Sequence, residues 1–585
     1  VTITVGKKIP FSSLALEQWV SLLEKATIVG FDTENQGLKV YSGEDKNLGF
    51  SIAFQSEFGI VKGYFPCNHI RGENLEEADW KTILDLVTTK VLVLYNAVYD
   101  LSVLRQLGYE ITTFFCAQRI DHLINENHPV YSLDASAKRW LGYEVKEKSP
   151  EFELAMLAWG WAGMSSDLMY HYAQQDAVGH LEVFMAETKH KEFRPEIVKF
   201  WKEIEAPNIN LLSKMRSLGV RIDIPRCKRE QMKGDQILVE LEDELGGKPS
   251  SPLWLKKTLL DELGLEPYFK VNKNGEKKLT FDKASMQDHY SPQLERISTD
   301  NDLATKILEY RGWQKSVSGY YLPYQRFVES DGRLRAEYKP HGTVTGRFSC
   351  ADPNLQQIPK ETDKPWNGAV KSCLIPAEGF KLWELDYSQL EFRLAAAAAK
   401  EESLLEIFND DSRDVFSEMA AKLGMERNPT KTLNYTIQYG GGVGRIKTVF
   451  GVSAAKAKDI IDNYYDTYPN LKAAGQQFGR QAKVKGYVDI WSGRRRHFRY
   501  PKDEYYKAFN SYIQGGASDL VKTVMNDCDR EVNCDDSRLL LQVHDSLVWE
   551  IRDGMEDQFL PQIAEIMTRP NFGVHLAVDA HSWVK

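Results

Sequence analysis

Trp383-Glu-Leu-Asp386-Tyr-Ser-Gln-Leu-Glu391-Phe-Arg393 reads as an apolar strand that runs into an acid and then into a helix. Leu539-Leu-Leu-Gln-Val-His544-Asp545-Ser-Leu-Val-Trp-Glu-Ile551 reads as two apolar strands meeting at His-Asp-Ser, a hairpin with an acid at its tip. Either Asp alone is ordinary, because turns favour Asp. Between the two segments stands Arg427-xxx-Lys431-xxx-Tyr435-xxx-Tyr439-Gly440. On a helix, steps of four residues drift by only ~40° each, so these side chains form one slanted stripe, cations at one end and aromatics at the other. The stripe suits a triphosphate lying against Arg and Lys, with its sugar and base against the rings. The bland alternative is a solvated cationic edge beside core tyrosines.

Outward from this centre, the stretch around 400–525 is rich in helical patterns, and strands return after Gly332. Long polar helices are expected at Glu205–Ser217 and Cys227–Leu245, then a turn at Asn274-Gly275. The first 190 residues or so form an α/β pattern. Strands are expected at Thr27–Asp32, Leu48–Phe54, Gly59–Tyr64 and Val91–Tyr95, and helices at Trp80–Val87, Asp100–Leu107 and Leu133–Leu141. No internal repeat or low-complexity segment interrupts the chain.

Within that α/β region, Asp32 and Glu34 stand at i and i+2 of a strand and share one face. Two carboxylates on one face repel unless a cation lies between them; in isolation the pair is an ordinary exposed strand end. Asp100 follows a second apolar strand and Asn96, and Tyr172 and Asp176 share a helix face at i and i+4. In order and spacing, these segments resemble the DEDDy 3′–5′ exonucleases, the proofreading domains of DNA polymerases. The resemblance implies that Asp32, Glu34, Asp100 and Asp176 hold two Mg²⁺ or Mn²⁺ ions, that Tyr172 orients the attacking water and that Asn96 contacts substrate. With all four acids present, an active nuclease is expected.

The C-terminal segments resemble motifs A, B and C of the family A DNA polymerases, the group of bacterial polymerase I and the T7-like phage replicases. Thr343-Val-Thr-Gly-Arg347-Phe-Ser, Pro353-Asn-Leu-Gln356-Gln-Ile-Pro359, Gly493-Arg-Arg-Arg496 and Asn510-Ser-Tyr-Ile-Gln514 extend the likeness. It implies that Asp386, Asp545 and the Tyr387 backbone bind two Mg²⁺ ions. Arg427 and Lys431 would grip the triphosphate, and Lys431 could protonate the leaving pyrophosphate. Gln389, Tyr435 and Tyr439 would face the nucleotide, and Glu391 with Tyr439 would reject a ribose 2′-hydroxyl. Arg347, Gln514, Asn510 and Gln356 would contact DNA, Arg347 and Gln514 at minor-groove acceptors, with His544 beside the primer end.

The implied fold is an RNase H-like exonuclease domain at 1–197 and a right-hand polymerase domain at 198–585. Its thumb would occupy about 198–320, its palm 321–397 and 525–585, and its fingers 398–524. The implied partners are primer–template DNA and dNTPs, with helicase, primase and single-strand binding protein as auxiliary candidates, acting on a monomer. Several positions depart from the family pattern. Ser546 follows the motif C Asp where Glu is usual, removing a third carboxylate; Phe416 stands where many members have His; Thr436 replaces a common Gly. Tyr435 is Tyr as in T7-like members, so good dideoxynucleotide acceptance is expected. With no 5′-nuclease module expected ahead of the exonuclease region, and a span from Glu205 to Gly319 too short for a processivity-factor insertion, a compact phage-type or virus-derived organellar replicase is expected.

Composition bounds the alternatives. Of 585 residues, 42% are hydrophobic and 27% charged, which is ordinary globular usage. The longest strongly apolar stretch, Leu394–Ala399, falls far short of the ~20 residues a membrane helix needs. Seven scattered cysteines with no CxxC pair and a start without a signal peptide point to a soluble protein in a reducing compartment. That means the cytoplasm of a bacterial or phage-infected host, or an organelle. The net charge of −9 argues against a nucleic-acid partner on its own, yet Arg480–Lys507 holds nine basic residues against three acids, a local basic footprint. A single-subunit RNA polymerase is disfavoured by Glu391 and the exonuclease region, and a non-catalytic scaffold by six intact metal-site acids.

Overall fold

The computed structural model describes residues 9–10, 12–146, 148–271, 276–297, 302–359 and 364–583. The chain divides into two compact units, one of 1–218, 338–350 and 383–582, the other of 219–337, 351–382 and 583–585. Among the described residues no helix is long and apolar enough to cross a membrane.

The first unit begins with a five-stranded sheet built from β1 (Ile28–Asn35), β2 (Asn47–Ser56), β3 (Gly59–Pro66), β4 (Val91–Leu94) and β5 (Phe114–Cys116). Its order is β3-β2-β1-β4-β5, with the first three antiparallel and β4 and β5 parallel to β1. The expected strands are all present, and β5, three residues long, carried no periodic signal. Val29 and Phe31 are fully buried on one face and Gly30 between them is buried on the other, as a strand covered on both faces requires. Helix α1 (Ala97–Gln106) follows β4 directly, α2 (Ala117–Ile124) follows β5, and α3 (Pro150–Trp159) and α4 (Ser166–Glu187) complete the cover. Across β1, α4 comes so close that a Cβ at Gly30 would stand 2.2 Å from the Ala177 carbonyl oxygen. A side chain there would push α4 off the sheet.

The same unit holds a second sheet of four strands, β6 (Phe380–Tyr387), β7 (Ser537–Val543), β8 (Ser546–Arg552) and β9 (Val578–Ser582), in the order β7-β8-β6-β9. β7 and β8 form the expected hairpin, pairing Val543 with Ser546 across His544-Asp545. His544 takes a φ of 58°, a left-handed conformation that a tight two-residue hairpin turn demands. Helix α5 (Leu390–Ala399) leaves β6 through Gln389, also left-handed at φ 57°. Helices α6 (Val415–Leu423) and α7 (Arg427–Gln438) lie in the helix-rich block, and α8 (Ala508–Glu531) is a largely buried rod.

The second unit contains the long helix Ile224–Leu245 packed on Asp302–Ser316. A three-stranded sheet orders Leu374–Ile375, Val220–Ile222 and Arg333–Leu334. A small hairpin pairs Phe269–Val271 with Lys277–Leu279; the Asn274-Gly275 turn expected there lies outside the described residues.

Candidate metal centres

The end of β1 places Asp32 and Glu34 on one face, and the close approach of α4 at Gly30 lowers Asp176 onto them. Ligand oxygens of Asp32, Glu34 and Asp176 all lie within 4.8 Å of one another. Burial first, then mutual repulsion, pushes Asp32 and Glu34 well above the usual carboxylate range. Burial likewise pushes Asp176 up to about 6. Glu34 Oε1 and Asp176 Oδ1 are buried with no hydrogen-bond partner. A set of hard oxygen donors that repel one another, two of them buried without a hydrogen-bond partner among the described residues, fits a divalent cation of the Mg²⁺ class.

Asp100, the fourth expected ligand, stands outside that group. Its Oδ1 accepts from the Thr33 amide at 3.2 Å and the Thr33 hydroxyl at 2.8 Å, tying α1 to β1 between the two strand acids. Burial raises it to about 7. Asn96 is the exposed N-cap of α1.

Tyr172 lies one turn before Asp176 on α4. Its ring stacks on Phe152 of α3 at 4.7 Å and meets Trp161 edge-on at 5.5 Å. Lys146 Nζ sits 3.1 Å from the Tyr172 hydroxyl and 3.1 Å from Asp176 Oδ2. Burial disfavours the charge of Lys146, but Asp176 and Tyr172 outweigh it and hold the ammonium protonated. Lys146, Phe152 and Trp161 escaped the sequence reading, since one lysine in a polar loop and two core aromatics form no motif.

The second centre lies on the four-stranded sheet. Asp386 ends β6 beside Tyr387, whose buried hydroxyl donates to the Met567 carbonyl at 2.6 Å. Asp545 stands in the β7–β8 turn. Among the described residues no group of three or more His, Cys, Asp or Glu side chains converges around these two acids. Arg347 bridges instead: its Nη2 is 3.3 Å from Asp545 Oδ1 and also donates to Glu391 Oε1. Glu391, in the first turn of α5, takes a second bond from the Tyr439 hydroxyl at 3.1 Å. Burial raises the Glu391 carboxyl, and Arg347 opposes the rise.

The stripe of four lies on α7 as the spacing required, with Tyr439 as the helix C-cap. Tyr435 and Tyr439 stack at 6.3 Å. Phe416 lies 5.9 Å from Tyr435, under both cations, Lys431 Nζ at 5.7 Å and the Arg427 guanidinium at 6.0 Å. Arg427 donates through Nε and Nη2 to Asp414 at 2.9 and 2.8 Å, a bond that also holds Asp414 well below the usual carboxylate range. Gln514 and Asn510 are half-buried on α8, and Asn510 Oδ1 has no partner. Gln356 belongs to the second unit, buried in the short turn Leu355–Gln357. His544 is exposed in its turn.

Three residues of the basic footprint are committed inside the protein, while Arg480, Lys483, Lys485, Arg499, Lys502 and Lys507 are exposed. Arg494 pairs with buried Asp519 at 2.7 Å, Arg495 with Glu192 at 2.9 Å and Arg496 with Glu126 at 2.9 Å. For those three arginines the neutralising acids come from outside 480–507, so a count along the stretch does not show which charges solvent meets.

Residues 230–583 match the family model described as DNA polymerase family A. The chain belongs to DNA polymerase family A. Residues 8–187 match a 3′–5′ exonuclease model. A thermostable DNA polymerase I of Thermus filiformis is 30% identical over 64% of this chain and 46% of its own length. DNA polymerase I of Synechocystis sp. is 27% identical over 97% of this chain and 60% of its own. The chain thus spans about half of these curated relatives. The POL domain of Pol1 from M. smegmatis, solved in complex with DNA primer–template and dNTP, superimposes with a TM-score of 0.81. It is 22% identical, covering 97% of this chain and 98% of that one. The family A polymerase fold therefore joins an α/β exonuclease region to palm-, fingers- and thumb-like parts.

Proposed function

We propose that this chain extends a DNA primer 3′-end with dNTPs on a template and trims mispaired 3′-ends hydrolytically. The observation that carries the reading is the chain of contacts Tyr439–Glu391–Arg347–Asp545. It ties the nucleotide-facing helix to a metal-site acid through a carboxylate locked where a ribose 2′-hydroxyl would intrude. A hydroxyl entering there meets occupied acceptors, which favours deoxynucleotides. The M. smegmatis protein, solved with DNA and dNTP, supports the same ligand classes here.

In each centre a pair of Mg²⁺ ions, when bound, would activate the attacking oxygen and stabilise the leaving one. Asp386, Asp545 and the Tyr387 backbone would hold the polymerase pair, and Asp32, Glu34, Asp100 and Asp176 the exonuclease pair. Asp414 aims the Arg427 fork while leaving its Nη1 donors for phosphate oxygens, and Lys431 can pass a proton to pyrophosphate. The Tyr172 oxygen accepts from Lys146, so its own hydroxyl proton is available to orient the attacking water. Arg347, Gln514, Asn510, Gln356 and His544 are the DNA contacts, with Asn96 holding the strand to be trimmed. Tyr435 supports a phage-type replicase, although the relatives above are bacterial.

Paired variants test the reading. Asp545→Asn should abolish primer extension and leave 3′ trimming, and Asp32→Ala should do the reverse. Loss of both activities in either variant refutes the assignment of two separate centres.

A further inference from the structure

Ser546 opens β8 directly after Asp545, where the family pattern has a glutamate, so the polymerase centre looked one carboxylate short. The structure shows what Ser546 touches. It is buried, and its single hydroxyl proton lies between Glu384 Oε1 at 3.0 Å and the Val543 carbonyl at 2.9 Å. Glu384 is on β6, the strand adjacent to β8, two residues before Asp386. Residues i and i+2 of a strand share a face, so Glu384 and Asp386 project to the same side while fully buried Leu385 points to the other. The Glu384 side chain is only 13% exposed, and its Oε2 faces His581 of β9 at 3.9 Å.

Ser546 thus holds a largely buried carboxylate on the Asp386 face of β6. We propose that Glu384 is the third carboxylate of the polymerase centre, delivered from the motif A strand instead of the motif C turn, with Ser546 as the small donor that fixes it. The acid and its small neighbour have exchanged strands: a serine follows Asp545, and the glutamate stands across from it on β6. Glu384 is a positioning residue. An outer carboxylate beside Asp386 would orient that ligand acid and the waters a Mg²⁺ ion would keep when bound there. This inference rests on the polymerase reading above.

The test uses the full chain, with 3′ trimming by each preparation as the report of folding. Glu384→Gln should lower kcat for extension by about 10–100-fold, the usual cost of losing an outer-shell partner, with the dNTP KM within about twofold. Mn²⁺ affinity of the complex with dideoxy-terminated primer–template and dNTP, read by electron paramagnetic resonance, should fall by a similar factor. The exchange variant Glu384→Ser/Ser546→Glu should recover both readouts to within about threefold of wild type, whereas Glu384→Ser alone should not. Normal extension and Mn²⁺ binding by a well-folded Glu384→Gln would overturn the inference, as would failure of the exchange to recover extension while trimming persists. Should Glu384→Gln lose trimming as well, the exchange variant decides by the same criterion. A wild type that trims but does not extend would instead refute the polymerase reading itself.

Discussion

In the exonuclease centre, Asp32, Glu34 and Asp176 bring their oxygens within 4.8 Å of one another, and a lysine stands among them. On the four-stranded sheet, Asp386 stands at the end of β6 and Asp545 in the β7–β8 turn, and Arg347 spans Asp545 and Glu391. The first set comes from a strand end clamped by a helix, with the helix backbone 2.2 Å from where a Gly30 Cβ would be. Such a set is assembled before any ligand arrives. The second depends on a hairpin turn and on a bridging arginine that is 31% exposed and can exchange partners. The difference suits the two proposed tasks. Trimming must act on any frayed end, whereas extension gains selectivity if its centre is completed only by the correct nucleotide.

Metal binding to the free protein gives the largest expected contrast. Without DNA or nucleotide, Mn²⁺ should bind first at the exonuclease centre, and Asp176→Asn should weaken that binding by about a hundredfold or more. Asp386→Asn should leave it unchanged, and equal losses in the two variants would break the contrast. On the polymerase side, Tyr435→Phe removes the phenol that can stand in for a missing 3′-hydroxyl. Discrimination against dideoxynucleotides should then rise by about 10–100-fold, the value of one hydrogen bond to a charged or strongly polarised group. Dideoxy termination assays read this directly, and unchanged termination would sink the idea.

Lys146 sharpens the comparison from the other side. It neutralises the preassembled acids and competes with any cation for them. Lys146→Met should tighten Mn²⁺ binding to the free protein by about tenfold, and Lys146→Arg should not, because it keeps the charge. Weaker binding in Lys146→Met would show that the ammonium helps to build the site. The smallest effect is on stability. Asp100 and Asp176 are raised from 3.8 to about 7 and about 6, so the folded chain binds more protons than the unfolded one between these values. Stability from this source is complete below about pH 4 and is lost as pH rises through 6 to 7. In EDTA, the wild-type melting temperature relative to Asp176→Asn should therefore fall by about 2–4 °C between pH 5 and 8, and saturating Mg²⁺ should remove the fall. A relative rise would contradict the repulsion described for this centre.

Much of this was legible from local periodicity. The pairing of Asp32 with Glu34, the Tyr172–Asp176 face and the four-residue stripe of α7 follow from residue spacings that a strand or helix enforces by itself. Other features were invisible because their partners are remote. Thr33 holding Asp100, Glu126 and Glu192 neutralising Arg496 and Arg495, and Ser546 meeting Glu384 all join residues that no spacing rule connects. Sequence shows only chain neighbours, whereas a sheet brings Glu384 to Ser546 from the adjacent strand.

The sequence by itself determined which acids, cations and rings this chain owns and on which faces of their elements they stand, because backbone periodicity is a property of the chain. Only the tertiary structure decided which of them meet. Three carboxylates converge because Gly30 lets α4 close on β1, while Asp386 stands at the end of β6 and Asp545 in the β7–β8 turn, with Arg347 joining Asp545 to Glu391. Convergence depends on how closely elements pack, and packing distance is set by side chains drawn from the whole chain.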